Sequence, residues 1–230
     1  MKVKILGTRG EIERSAPWHT KHSGVLVDDT FLLDLGEKEY LDHDPEFVVF
    51  THFHPDHAFF MRRHQQLDKS IEAYGPEKPD ELNNLHKRTT VFDRGPYRFT
   101  PIPTIHSLKV KSQAYIVEKG GRRILYTGDL AWMEKKYQKE LGKLNMVITE
   151  GSFFKKGGMI RRNKASGKIF GHTGVPDLVR IFSKHTSHIV LMHFGNWFMK
   201  DVEKAREKIA KLSTDDIKVE AARDGQEFSL

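Results

Sequence analysis

Apolar and polar residues alternate every second position over residues 1–6, which predicts a first β-strand. Residues 24–27 and 30–34 repeat that period on either side of Asp28-Asp29 and predict a hairpin. The run FVVFT at 47–51 is short, β-rich and apolar enough for a buried strand. Residues 56–67 then predict a helix, with Ala58, Phe59, Met61 and Leu67 apolar. A strand is expected at 71–74, followed by a polar, proline-containing stretch over 75–87. Residues 97–101 and 114–117 predict strands, and Gly120-Gly121 a turn before another at 123–127. Further helices are predicted at 133–141, at 175–185 (opened by Pro176) and at 201–212. Buried strands are predicted at 146–149 and 188–192, and two short ones within 217–230 around Asp224-Gly225. The basic stretch 155–168 (KKGGMIRRNKASGK) has no period and reads as a mobile loop. Strands fall into two series separated near residue 110, with helices after several of them. The expected fold is α/β, two sheets with helices outside, in one domain over residues 1–230.

Composition sharpens this picture. With no cysteine among 230 residues, disulfides, thiolate metal sites and a cysteine nucleophile are excluded. Thirteen histidines are many for this length, so any metal would be held by imidazole and carboxylate. No run approaches the ~20 apolar residues that span a bilayer. The N-terminal MKVKILGTRG reads as a strand and not a signal peptide, giving a cytoplasmic expectation. The net charge of +7 favours anionic partners such as nucleic acid or nucleotides. Nothing suggests a membrane partner, and a homodimer is compatible with this reading. The three tryptophans are read as packing residues.

The strongest chemical signal is Thr51-His52-Phe53-His54-Pro55-Asp56-His57, just past a buried strand. In an extended segment residues two apart point the same way, so His52, His54 and Asp56 can converge. His57 begins the following turn on the neighbouring side, and one loop can thus serve two adjacent ions. Such ligands suit zinc, and also manganese or iron.

This HxHxDH run resembles the signature of the metallo-β-lactamase superfamily. Other positions follow that family's order: Asp34 in FLLDLG, His106 in PIPTIHS, Asp129 in LYTGDL and His193 in IVLMHFGNW. The resemblance implies a four-layer αβ/βα sandwich of two mixed sheets with helices outside. It implies that His52, His54 and His106 hold one divalent ion, that Asp56, His57 and His193 hold a second, and that Asp129 bridges. Asp34 would brace the loop. Two such ions lower the pKa of a shared water and polarise the bond to be cleaved.

A second resemblance narrows the subclass. VITEGSF and GHTGVPDLVRIF are similar to two late segments of RNase Z-type phosphodiesterases, with Thr149 where that family has histidine. It implies that Glu150 and His172 pair to protonate the leaving oxygen while Asp56 assists the water. The family's tRNA-binding arm is missing, since 106–129 has room only for a hairpin. Arg161, Arg162, Lys164 and Lys168 are candidates to bind substrate phosphate. The expectation is a metal-dependent phosphodiesterase or nuclease acting on RNA, DNA or a cyclic nucleotide. The alternatives are a hydrolase of a thioester, lactone or lactam, and a non-catalytic, metal-stabilised nucleic-acid-binding module.

Overall fold

The structure, a computed structural model, describes residues 1–62, 66–67, 70–79 and 84–230. In chain order the strands are β1 (Lys2–Gly7), β2 (Gly24–Val27), β3 (Phe31–Leu33), β4 (Phe47–Val49), β5 (Glu72–Gly75), β6 (Leu85–Lys87), β7 (Phe92–Arg94) and β8 (Tyr97–Thr104). They continue as β9 (Ser112–Lys119), β10 (Arg122–Tyr126), β11 (Met146–Gly151), β12 (Met159–Arg162), β13 (Ile169–His172), β14 (His188–Phe194), β15 (Lys218–Ala221) and β16 (Glu227–Ser229). Helices α1 (Lys135–Glu140), α2 (Val175–Phe182), α3 (Asn196–Met199) and α4 (Val202–Ala210) lie in the second half.

Two mixed seven-stranded sheets form the centre, in the orders β16-β1-β2-β3-β4-β5-β6 and β15-β14-β11-β10-β9-β8-β7. The two-residue period explains how they stack. Val3, Ile5, Val25, Val27, Phe31 and Leu33 face the second sheet, where they meet Phe99, Val117, Ile124, Tyr126 and Ile148. Their neighbours Leu26, Leu32 and Val48 point the other way, into an outer layer with Tyr40, Phe50 and Phe59. On the far side of the second sheet, Leu125, Val147, Ile189 and Leu191 pack beneath Leu178 and Phe182 of α2 and Ile209 of α4. Three apolar layers between and outside two sheets make the four-layer sandwich.

Several expectations need correction. The switch between sheets falls between β6 and β7, before residue 92 and not near 110, because β6 and β7 are too short and polar to read as strands. The segment after the HxHxDH run is a turn and one short 3-10 helix, Phe59–Met61; the rest of the predicted helix runs into residues 63–65, outside the described residues, as does His64. Phe59 and Phe60 are both buried, so tertiary packing overrides helical spacing there. The stretch 155–168 is not a loop throughout: β12 and β13 form a two-stranded antiparallel hairpin. Its turn is held by Asn163 Oδ1, which accepts from the N–H groups of Ala165 and Ser166, and by left-handed Gly167. Trp18 is 68% exposed and does not pack. Among the described residues, no helix is long and apolar enough to cross a membrane.

His19 carries a stability prediction. It is fully buried between Thr8 Oγ1, 2.8 Å from its Nδ1, and the rings of Phe194 and Phe198. Burial, then the charges of Arg206 and Arg223, lower its pKa from 6.5 to about 4. Between those values the unfolded chain binds the proton and the folded chain does not. His19 therefore costs stability as pH falls from 6.5 towards about 4, and the cost levels off below that. Thermal unfolding of wild type and His19→Gln across this window should show a shallower acid-side decline for the variant. Parallel profiles would contradict the assignment.

Candidate metal centre

The residues singled out by the HxHxDH pattern and its partners come together at the ends of strands from both sheets. Thr51 to His57 follow β4, Asp34 follows β3, Asp129 lies beyond β10, and His193 is within β14. His193 is the extra residue of a bulge: Glu150 pairs with Met192 and Gly151 with Phe194, leaving His193 between them. Its φ of 53° is left-handed, as is that of Asp34 at 60°. A bulge re-aims one side chain out of the alternating pattern, and left-handed non-glycine residues concentrate at functional sites. Gly10 completes this corner, since a Cβ there would lie 3.0 Å from the His193 ring.

Two clusters share Asp129. In the first, His54 Nδ1 lies 3.2 Å from His52 Nε2 and 3.0 Å from His106 Nε2, and Asp129 Oδ2 is 3.3 Å from His106 Nε2. His106 Nδ1 donates to the Gly171 carbonyl at 3.0 Å, and His52 Nδ1 is 3.0 Å from Thr51 Oγ1. Thr51 Oγ1 itself donates to Asp34, so it accepts from His52. Both facing Nε2 atoms are then lone pairs when the rings are neutral, and His54 has at most one proton to share between them. In the second cluster, His193 Nε2 lies 2.8 Å from Asp56 Oδ2 and 3.2 Å from Asp129 Oδ1. His57 Nε2 is 3.2 Å from the same Asp129 oxygen. Although both are buried and 3.2 Å apart, neither His57 Nε2 nor Asp129 Oδ1 makes a well-aligned hydrogen bond among the described residues.

The electrostatics point the same way. Burial and then the neighbouring His57 hold His52 well below the ordinary imidazole range, and burial with His106 takes His54 down to about 4. Burial opposes charge on His57, yet Asp129, Asp34 and Asp56 raise its pKa well above the ordinary value. Against the same burial, Asp129 and the bond to Asp56 raise His193. Burial works against the Asp129 carboxylate, but His193 and His57 keep it well below its usual range. Convergent lone pairs, orphaned buried atoms and concentrated carboxylate charge fit divalent cations, with one Asp129 oxygen turned to each cluster.

Asp34 ties the clusters together. Its Oδ2 accepts from His57 Nδ1 at 2.7 Å, Thr51 Oγ1 at 2.8 Å and the Tyr126 hydroxyl at 2.8 Å, while Oδ1 accepts from the Thr51 N–H at 2.7 Å. Through Thr51 the same carboxylate reaches His52 of the first cluster. Thr51, Tyr126 and Ser152, whose Oγ is 2.9 Å from His193 Nδ1, were not singled out by sequence. The available signal was positional, since each sits beside a motif residue. Thr51→Val is expected to weaken metal binding about 10–100-fold, the usual cost of losing an outer-shell partner. Tyr126→Phe, which leaves Thr51 and His57 bonded to Asp34, should cost less. Titration calorimetry with zinc checks both.

Glu150 and His172 stand beside the clusters. Glu150 is buried, with Oε1 accepting from the Leu130 N–H at 2.6 Å and Oε2 2.7 Å from His172 Nδ1. Both its oxygens are engaged, so it serves His172. Burial opposes charge on that ring, but Glu150 raises its pKa to about 9. The cleft above the site has a volume of about 550 Å³, with Ile12, Phe153, Met159 and Trp197 on its walls around His54, His106 and His172. Arg161, Arg162, Lys164 and Lys168 are exposed on the β12–β13 hairpin and are not among the residues lining this cleft. His22, near the first hairpin, pairs with Glu37 at 2.5 Å and joins neither cluster.

Two sheets whose strand ends converge on five histidines and two aspartates define a metal centre of the metallo-β-lactamase fold. The chain belongs to the beta-lactamase superfamily domain family, which matches residues 36–194. No curated protein matches it by sequence. Among solved structures it resembles a diphosphatase of the PhnP family, at TM-score 0.68 and 14% identity over 100% of this chain and 97% of that one. It also resembles an isothiocyanate hydrolase from Delia radicum gut bacteria, at TM-score 0.66 and 16% identity over 100% and 99%. Human tRNase Z, short form, gives TM-score 0.65 and 18% identity over 100% and 99%. These likenesses establish the fold. Metal-dependent hydrolysis is the prevailing chemistry of that fold family.

Proposed function

We propose that this protein is a phosphodiesterase with two divalent ions, zinc by preference, acting on a nucleic acid or nucleotide. The observation that carries the reading is the Glu150–His172 pair, 2.7 Å apart and set against the ligand clusters. When bound, divalent ions at such a donor set lower the pKa of water and offset developing negative charge. His52, His54, His106 and Asp129 would hold one, and Asp56, His57, His193 and Asp129 the other.

The chain's own groups do the rest. Water attacks phosphorus, with the Asp56 carboxylate placed to take its proton. The P–O bond to the leaving group breaks, and that oxygen takes a proton from His172. Glu150 fixes the ring by accepting from Nδ1, leaving Nε2 for the cleft. The histidine is supplied by β13, the arm of the basic hairpin, so the proton donor and a cationic surface arrive on one element.

The apolar cleft walls favour a second reading, hydrolysis of a thioester, lactone or lactam, in which water attacks a carbonyl carbon. The two are separated by presenting metal-loaded protein with bis-p-nitrophenyl phosphate and short RNA, and in parallel with nitrocefin and a glutathione thioester. Cleavage of phosphodiesters with the others inert supports the proposal. The reverse pattern replaces it with the second reading.

A further inference from the structure

We propose that a groove lined by the neighbours of His106 seats a single-stranded stretch of nucleic acid beyond the scissile phosphate. This rests on the phosphodiesterase reading and narrows its substrate class to a strand. The groove lies between the bend joining β8 to β9 and the start of β13, with a volume of about 640 Å³. That is within the range of ~300–1,000 Å³ typical of ligand sites.

Its walls combine two chemistries. Lys109, Lys111 and Lys168 line it, all exposed. None of the three makes an ion pair among the described residues. Between them Pro103, Ile105, Leu108 and Ile169 give an apolar surface, and Leu108 is 42% exposed. Among the described residues, Glu77 is the one acidic side chain on the wall, and its Oε1 accepts from the Lys111 N–H at 3.0 Å. Exposed cations beside exposed apolar surface suit a ligand with phosphates along one edge and flat, weakly polar faces along the other, which describes unpaired nucleotides. Duplex keeps its bases stacked inside and would leave the apolar wall uncovered.

The groove is joined to the chemistry by a short seam. Ile105 and Ser107 flank His106, and Ile169 opens the strand that ends at His172. Gly171 N–H donates to the His106 carbonyl at 2.7 Å, and His106 Nδ1 donates back to the Gly171 carbonyl at 3.0 Å. His106 and His172 line the cleft, and their chain neighbours Ile105, Ser107 and Ile169 line the groove. A strand with its scissile phosphate in the cleft passes beside His106 to reach the lysines, and the further cations Arg161, Arg162 and Lys164 lie outward on the same hairpin.

The test measures binding and turnover separately. Fluorescence anisotropy of a labelled single-stranded RNA octamer, with a DNA octamer to identify the preferred sugar, is followed against salt. The protein is metal-loaded and carries His172→Ala so that the octamer survives. Adding Lys109→Ala, Lys111→Ala and Lys168→Ala should weaken binding at least tenfold. It should also flatten the slope of log K against log salt by about 2, from roughly 0.7 per lost phosphate contact. An abasic octamer should bind more weakly than the normal one; equal binding would reduce the groove to a generic polyanion surface and overturn the proposal. Unchanged affinity and slope in the triple variant would also overturn it. In the His172-containing protein, Lys109→Ala combined with Lys111→Ala should leave bis-p-nitrophenyl phosphate turnover within twofold. If wild type cleaves that ester but the lysines do not affect octamer binding, the groove fails and the phosphodiesterase reading stands. If octamer binding depends on the lysines while no phosphodiester is cleaved, the failure lies with the reaction.

Discussion

Phosphodiester turnover is expected to fall about 10²–10⁴-fold when His172 becomes alanine, the usual worth of a positioned proton donor. The geometry gives the reason. Glu150 is buried and spends one oxygen on the Leu130 N–H and the other on His172, so it has no second task to fall back on. Without the imidazole, the leaving alkoxide must depart unprotonated or wait for bulk water. Glu150→Gln keeps the shape but cannot hold a charged imidazole as strongly, so a smaller loss is expected. Zinc content, measured beside turnover, should be unchanged in His172→Ala, because neither proposed ligand set uses His172, although its ring lies near Asp129, Glu150 and His193. Hydrolysis of any carbonyl substrate the protein accepts should suffer less. Equal losses on phosphodiester and carbonyl substrates, or none on either, would remove His172 from the proposed role.

Asp129→Asn is expected to abolish most metal-linked stabilisation. Ions present at a hundred times their dissociation constant add about 2.7 kcal/mol to folding stability by mass action. In the wild type that should appear as a metal-dependent rise in Tm. Asp129 is 3% exposed and lies within 3.3 Å of His57, His106 and His193, with one oxygen in each cluster. The amide keeps the volume and removes a carboxylate common to both. Asp34→Ala acts differently: it changes none of the proposed ligands but strips four hydrogen bonds from Thr51, His57 and Tyr126. It should therefore lower stability even without metal, because buried donors lose their acceptor. A metal-dependent Tm rise in Asp129→Asn equal to that of wild type would contradict the bridging assignment.

Much of the sandwich was legible because its layers follow the strand period. Val25, Leu26 and Val27 alternate between two cores, as do Phe31, Leu32 and Leu33. Where that period was short or absent the reading failed. Strands β6 and β7 have three residues each and are partly exposed, so they gave no signal. The β12–β13 hairpin is exposed along β12, and its pairing depends on partners across a turn, which hydrophobic spacing does not record. The convergence of the HxHxDH residues with Asp34, His106, Asp129 and His193 was legible through the family resemblance of their order along the chain. What held them in place was not. His193 points inward through a bulge and a left-handed backbone, and Tyr126 reaches Asp34 from the opposite sheet. Both depend on contacts between residues far apart in sequence.

Metal content, determined by elemental analysis after equilibrium dialysis against zinc, puts the central claim to the most direct test. The account predicts about two divalent ions per chain in the wild type. It predicts loss of the first-cluster ion when His52 and His54 are both changed to alanine. A chain that takes up no divalent ion, or a double variant that binds as much as the wild type, would contradict it.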